Sequence, residues 1–547
     1  MKKMKKLLCL LLALAMLFAL TACGGKSDGG KSDGKADGGS QENKFNPGPK
    51  GDEKITLRIG TTGYLGRFLS GLAPEESHSA CNAVFDSIFR VDPWTKQIKS
   101  DVLDDWYWED EHHFIMKLHD GVYFSNGQKA TSEDLLFSYQ NHEERGSNYL
   151  SGMYLDLDKC EIVDDMTVRF YCEMQNTRIS TAYIHLYCKS WSREVGWDSP
   201  EWYYPVASGA YYVKEYVADD YMILHVRDDY WKHSIDEYYV EEYYYKYYPD
   251  ASTLYMELEL GNLDVCVIQS TDYTRYMSED NSDKDYNVVL DATGSTMYMN
   301  FGFKDHDIWY NKDLRLAFAY GINWEEVGML TLGDFYVANN GFAPKESPSY
   351  YDAGTREYDP DKAVEYLKKA GYGPGELSIK ACMMDNASYK NFGQAITYYI
   401  EKMGVNIDIQ YADVSASIAN WVQGGYNNDI NLLFAAGGDA RQCVTGSLNQ
   451  ANLWPGVTFA YVDDDHFQEL YAKLCDPNTT QEDIYKYEKE IQQYIFDECL
   501  IIPFAEMNSA FGYNQKVIGP EMVKAITFSN RYQLTELGLR SNWERYQ

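Results

Sequence analysis

The feature that most limits what this chain can fold into is a break in composition at residue 50. From Gly24 to Lys50 it reads GGKSDGGKSDGKADGGSQENKFNPGPK, 27 residues with a GGKSD repeat and one aromatic. Such a stretch cannot bury enough apolar surface to offset the entropy of ordering it, so it reads as a tether. As a coil it reaches about 30 Å. No comparable low-complexity stretch recurs between Gly51 and Gln547, so the rest must form folded domains joined by short crossings. With 45% hydrophobic residues in 547, there is apolar material for two or three domain cores.

What precedes the tether reads as an export signal. Lys2, Lys3, Lys5 and Lys6 are followed by an apolar run from Leu7 to Ala22, 16 residues long and short for a membrane span of about 20. Leu20-Thr21-Ala22-Cys23 resembles the lipobox of bacterial lipoproteins, in which the cysteine is acylated and becomes the mature N-terminus. That resemblance implies a signal peptide over 1–22, lipidation at Cys23, a lipid-anchored tether over 23–50, and a domain on the extracytoplasmic face of the cell membrane. Past Cys23 nine cysteines remain, an odd number with no C-x-x-C spacing, so neither a zinc ribbon nor a regular disulfide framework is signalled. Most are expected to be buried as small hydrophobes.

Charge removes one class of partner. Acidic residues number 83 against 49 basic, a formal net charge of −34, and this field repels phosphate backbones. No nucleic acid is expected as a partner. Tyrosine is abundant at 49 residues, and its amphipathic ring suits both cores and recognition surfaces.

Signatures of chemistry are missing or misplaced. G-x-S-x-G occurs at Gly25 to Gly29 and Gly30 to Gly34, but inside the tether, with no strand before it or helix after it. There is no P-loop, no G-x-G-x-x-G and no H-E-x-x-H. His112-His113 would point to opposite faces of a strand and make a poor chelate. The clusters Asp104-Asp105, Glu109-Asp110-Glu111 and Asp463-Asp464-Asp465 read as solvated faces. No catalytic residue, metal ligand or cofactor is therefore assigned.

Beyond Lys50, strand and helix signals alternate, which makes the class α/β. Ile55 to Ile59 alternates apolar and polar as a strand does, and Gly60 is expected to end it. Thr131-Ser132-Glu133-Asp134 has the form of a helix capping box. Asp359-Pro360, then Ala363, Tyr366, Leu367 and Ala370 before Gly371, predicts a helix with an N-cap, a first-turn proline and a glycine stop. A further helix is predicted from Thr480, with Ile484, Tyr487, Ile491, Tyr494 and Ile495 on one face and Pro503 beyond.

Several segments, in this order, resemble the family 5 solute-binding proteins of ABC importers, the oligopeptide, dipeptide and nickel-binding class. They are CNAVFDSIFRVDPW at 81–94, FIMKLHDGVYFSNGQKATSEDLLFSY at 114–139, Pro205 to Tyr211, Val226 to Trp231, and Gly261 to Asp264. Met299-Asn300-Phe301, Asp313 to Ile322, and Asp359 to Tyr372 continue the series. The resemblance runs from about residue 55 to 510. It implies a two-lobed periplasmic-binding-protein fold (class II, cluster C) with an extra inserted α/β domain. Lobe I is expected at 51–91, 205–298 and 505–547, the inserted domain at 92–204, and lobe II at 299–504. It also implies a receptor rather than an enzyme. Two lobes would close on a ligand as a monomer, and the closed form would dock on a membrane permease.

Peptide binders of this family often carry W-x-A-D in lobe II, whose carboxylate pairs with the peptide α-ammonium. The corresponding stretch here is Leu432 to Asp439: Gly438-Asp439 keeps the acid, while Ala436 stands where the tryptophan would be. Asp439 reads either as that ammonium partner or as a turn cap after two glycines. Tyr64, Tyr298, Asn300 and Trp421 are the other ligand-binding candidates, each equally compatible with core packing. A peptide is the first ligand expected. An oligosaccharide, a nickel chelate or another small solute stays open, because sugars stack on tyrosines and the tryptophan is missing. A surface glycan hydrolase using two of the many carboxylates is the alternative from another class.

Overall fold

The computed structural model describes residues 53–544 except 64, 70–77, 93, 95–96, 146–149, 151–152, 174, 176–177, 181–183, 278–280, 282–283, 304–306, 346, 348, 413–415, 418–427, 437–461, 476–478, 480 and 528–533. β1 (Ile55–Thr61) is followed by strands that leave the main sheet: β2 (Arg90–Val91), β3 (Ile98–Lys99), β4 (Leu103–Trp108), β5 (His113–Leu118), β6 (Glu161–Asp164) and β7 (Thr167–Tyr171). The chain returns through β8 (Tyr211–Val217), β9 (Tyr221–Val226), β10 (Val240–Tyr247) and β11 (Val265–Ile268). Then come β12 (Tyr286–Phe301), β13 (Tyr336–Ala338), β14 (Ser378–Met384), β15 (Asn406–Ala412), β16 (Ile430–Ala436) and β17 (Ile501–Asn514). Among the described residues the main sheet is nine-stranded, ordered β16-β12-β17-β11-β1-β10-β9-β8, with β13 also paired to β17. β4-β5-β7-β6 form a second sheet, and β14 and β15 a parallel pair.

Two strands belong to both halves of the molecule. β12 and β17, 16 and 14 residues long, pair antiparallel, but their register slips between Ala292 and Ser295. Before the slip, Tyr286 to Ala292 run beside Asn514 to Asn508, and β11 flanks β17. After it, Ser295 to Asn300 run beside Met507 to Ile501, with β16 outside β12 and β13 outside β17. A bulge bends and twists a strand pair, so the sheet changes direction at the slip. Each side has its own core. Met297, Met299, Phe301 and Ala505 pack with Phe318, Ile396 and Ile491. Leu57, Ile59, Val265 and Phe511 pack with Trp202 and Leu224. A third core, Phe114, Met116, Phe170 and Leu135, closes the four-stranded sheet. The changeover between cores lies a few residues from the expected lobe boundaries at 298/299 and 504/505.

Local signals act as expected at three helices. Ser132–Glu144 starts at Thr131, whose N–H donates to Asp134 Oδ2 at 2.9 Å, as a capping box requires. Pro360–Lys369 is capped by Asp359, whose side chain accepts from the Lys362 N–H at 3.0 Å, and Gly371 follows at φ +94°. Gln481–Glu498 buries Ile491 and Ile495 completely. Gly60 does not end its strand: β1 continues to Thr61, because Gly60 pairs with Lys246 and Cys266 on both sides. Its role is close packing, since a Cβ there would lie 2.3 Å from Leu254 and 2.4 Å from Leu263 side-chain carbons. Of the cysteines, the seven described are free thiols and six are buried. Burial pushes the Cys266 thiol up to about 12.

The residues that carry the family resemblance join the parts of the fold. Asp264 accepts from the Arg58 N–H, Nε and Nη2 at 2.9, 2.9 and 2.6 Å and from Asn514 Nδ2 at 3.2 Å, tying β1 to β17. Arg227 donates to the carbonyls of Ala207 and Gly209 at 3.1 and 3.0 Å. A Cβ on Gly209 would sit 2.6 Å from the Ala83 carbonyl oxygen, so only glycine lets these segments touch. Asp86 accepts from Tyr230 Oη at 2.8 Å and Trp231 Nε1 at 3.2 Å.

Asp86 also has a titration consequence. Burial, then the nearby Asp101 carboxylate, raise it to about 7, against the lowering pull of Lys232 and its two hydrogen bonds. Asp101 stays near 2 although burial opposes it, because Arg90 and Lys232 outweigh burial, and Arg90 also pairs with Glu536 at 2.7 Å. A carboxyl whose native pKa lies above its unfolded value holds its proton in the folded state, so stability falls as pH rises through this window. Buried His142, held neutral by burial, tilts the curve the other way. Asp86→Asn is therefore expected to lose less melting temperature than the wild type between pH 5 and pH 8. Parallel melting curves for the two proteins would contradict this.

Candidate functional site

In open sheets with parallel strands, ligands collect beyond the carboxyl ends of those strands. β1 runs parallel to β10 and to β11. β11 ends at Ile268 opposite Ala510, two residues from Asn508 at the slip, so its carboxyl end points at the junction of the halves. From the other half, β16 ends at Ala436 opposite Ser295 and reaches the same junction. β11 flanks β17 only up to Ala510, and β13 only from Met507. Asn508 and Ser509 lie between them, partly exposed. This gap between the two halves is the candidate ligand cleft.

Its borders come from both halves. On one side stand the Thr61 to Gly63 turn, where the Gly63 N–H donates to Thr61 Oγ1 at 2.9 Å, and Val267, 43% exposed. Tyr273 meets Phe335 across the halves, ring centroids 5.5 Å apart. On the far side Tyr336 and Val337 are partly buried beside Glu506 and Met507.

Glu506 is a carboxylate 3% exposed, directly opposite both Thr296 and Val337. Its Oε2 accepts from the Lys345 N–H at 3.1 Å and from Asn339 Nδ2 at 3.4 Å. The same loop is stitched down elsewhere: Asn339 Nδ2 donates to the Ala343 carbonyl at 2.9 Å, and Thr296 Oγ1 to the Phe342 carbonyl at 3.4 Å. Glu506 lies one residue from Met507, the first pairing past the slip, hence within about 7 Å of it along the strand. Sequence reasoning missed it. The signal was a single charge inside Ile501 to Met507, which is otherwise apolar.

The ligand candidates named from sequence fall in two groups. Tyr298 and Asn300 lie on β12 and are buried, at 2% and 0% exposure. The Tyr298 ring is 6.3 Å from Phe342. Asn300 is five residues past Ser295, about 17 Å along the strand from the slip. It faces Asn431 across the sheet, and neither Asn300 Nδ2 nor Oδ1 has a hydrogen-bond partner. Tyr64, Trp421, Gly438, Asp439 and Cys23 lie outside the described residues. Tyr64 follows the turn at the end of β1, and Gly438-Asp439 follow β16.

Two of the acidic clusters are solvent-facing, as expected: Asp104, Asp105, Glu109, Asp110 and Glu111 are all exposed. In the third, Asp463 and Asp465 are exposed, but Asp464 is half-buried and accepts from the Phe467 N–H at 2.7 Å and from Tyr494 Oη at 2.8 Å. The ligand atoms of Glu109, Asp110 and His113 lie within 4.8 Å of one another. Glu109 is held by Arg169 at 2.9 Å, and His113 Nδ1 by Asp110 at 2.8 Å. His112 turns away, its Nδ1 3.1 Å from the Cys172 carbonyl. No helix among the described residues is long and apolar enough to cross a membrane.

Comparison with known proteins agrees with this architecture. Residues 97–447 match the middle region of the bacterial extracellular solute-binding proteins, family 5. The chain is 24% identical to the oligopeptide-binding protein AppA of Bacillus subtilis over 335 residues, 56% of this chain and 59% of AppA. It therefore spans less than two thirds of that relative. It is 21% identical to the glutathione-binding protein GsiB of Salmonella typhimurium over 421 residues, 74% of this chain and 78% of GsiB. Its fold is similar to that of the DppA periplasmic binding protein from Helicobacter pylori, solved with the peptide STSA. There the TM-score is 0.71 at 18% identity, covering 89% of this chain and 98% of that one. A two-lobed α/β fold, two strands shared by both lobes and a family match over residues 97–447 lead to one conclusion: this chain belongs to the family 5 bacterial extracellular solute-binding proteins.

Proposed function

We propose that the protein captures a peptide between its lobes outside the cytoplasm and delivers it to the permease of an ABC importer. The observation that carries this reading is the junction, where the carboxyl ends of β11 and β16, from opposite lobes, meet the slipped register of β12 and β17. A ligand bridging that gap touches both lobes and favours their closed arrangement, which is how binding becomes a conformational signal. The AppA and GsiB names and the peptide bound to DppA favour a peptide over other solutes. In this reading lobe I, the inserted domain and lobe II fall near the sequence boundaries, with the lobe changeover moved to the slip. Asp439 takes the peptide ammonium, Tyr64 and Trp421 flank the ligand, and the protein works as a monomer. Cys23 carries lipid, and the tether to Lys50 holds the domain off the membrane.

Native mass spectrometry of the protein purified from its own cells tests the ligand. Peptide masses released from the folded protein are expected. A bound population made only of saccharides or metal chelates would keep the receptor reading and overturn the peptide.

A further inference from the structure

We infer that the contact between Phe335 and Tyr273 is a pivot beside β17, one that ties the two halves together and confines their relative motion to a rotation about β12 and β17. The pivot acts in the ligand-free protein, whichever solute the cleft takes.

Phe335 packs against two cores at once. One is the core of Met297, Phe318 and Ile396, in the half that carries β13 and β16. The other lies in the half that carries β11 and holds Leu254, Leu258, Cys266, Ile268, Tyr273 and Tyr276. The Phe335 ring meets Tyr273 edge to face, at 62° with centroids 5.5 Å apart, a favoured arrangement for aromatic pairs. Tyr273 sits on helix Ser270–Met277 and is 7% exposed, so this ring pair belongs to the packed interior and not to the surface.

A short turn delivers the phenylalanine. Helix Trp324–Leu332 stops at Gly333, whose φ of +59° suits a residue without a side chain. Gly333–Phe335 then form one three-residue turn, and β13 begins at Tyr336. Asp334 of the same turn lies near helix Ser270–Met277 as well: burial, then the Asp334 charge, raise the Tyr273 pKa.

Position makes the contact a pivot. β11 ends at Ile268 opposite Ala510 and β13 starts at Tyr336 opposite Met507, so the strands next to the two partners are about 10 Å apart along β17. When one half turns against the other about these strands, groups near the axis move least, and the ring pair stays together while the far ends travel. Two strands alone would let the halves twist and slide as well. A close-packed ring pair on their flank opposes those motions, and freedom removed in advance need not be lost when a ligand binds.

Hydrogen exchange of the full chain in detergent, read by mass spectrometry, tests the pivot. Phe335→Ala should speed exchange by about tenfold in the peptides that cover β12 and β17, because loosening between the halves passes through those strands. Peptides covering β4 and β5, in the separate four-stranded sheet, should exchange as in the wild type. Phe335→Leu, which keeps apolar contact without the ring pair, should fall between the two, and it carries the test if the alanine variant does not fold. A rise confined to helix Ser270–Met277 and the Gly333–Phe335 turn would overturn the inference. Unchanged exchange in β12 and β17, or an equal rise in every peptide, would overturn it too.

Discussion

Replacing Arg315 by methionine is expected to cost about 3–5 kcal/mol of stability, because three buried carbonyls lose their donor and each unsatisfied group costs about 1–3 kcal/mol. Arg315 is 3% exposed in the middle of helix Lys312–Gly321. Its Nη2 donates to the Glu498 carbonyl at 2.7 Å, Nε to the Cys499 carbonyl at 3.0 Å, and Nη1 to the Trp309 carbonyl at 2.5 Å. Helix Gln481–Glu498 ends there, and its last carbonyls need donors that the helix cannot supply. The turn that follows holds Cys499 at φ +53° and launches β17 at Ile501. Methionine fills the volume and leaves three carbonyls short of donors. Lysine should rescue little, because a single ammonium cannot copy the planar fork. Urea denaturation reads the effect, and a variant within about 1 kcal/mol of wild type would show that β17 does not depend on this clamp.

Replacing Asp439 by alanine is expected to weaken peptide binding by about 10- to 150-fold, the loss of a charge-assisted hydrogen bond worth about 1.5–3 kcal/mol. The residue comes three positions after β16 in sequence, and the last residue of that strand, Ala436, pairs with Ser295 at the slip. In the proposed reading this acid takes the ammonium at the end of a peptide laid across the gap. N-acetylated peptides should bind the wild type as weakly as free-amine peptides bind Asp439→Ala, because either change removes the same pair. Calorimetry on both forms checks this, and equal affinities for wild type and variant would take Asp439 out of the site.

How far the sequence could be read follows from the range of each interaction. Capping and periodicity are local, so Thr131, Asp359 and Ile491 mark their helices through neighbours within a turn or two. The family segments were legible too, but their physical meaning was not. Asp264, Arg227, Gly209 and Asp86 look like functional polar or glycine positions in a sequence. In the fold they bind β1 to β17 and hold the segment before β8 against the end of helix His78–Val84. Such roles depend on partners that, for Asp264 and Arg58, lie 206 residues apart. Gly60 misleads for the same reason: what it avoids is Leu254 and Leu263, far along the chain. The slip between Ala292 and Ser295 leaves no composition signal, since register is set by pairing across strands. Tyrosines divide likewise, with Tyr211, Tyr238, Tyr243 and Tyr245 fully buried and Tyr204 and Tyr398 on the surface.

The most direct test of a peptide receptor closed by its ligand is the melting temperature of the full chain against panels of peptides, oligosaccharides and metal chelates. A ligand at about 100 times its dissociation constant adds about 2.7 kcal/mol, which for a folded region of this size is a rise of about 3 °C. That rise is expected with peptides. A rise with oligosaccharides or chelates alone, with saturating peptides giving none, would contradict it.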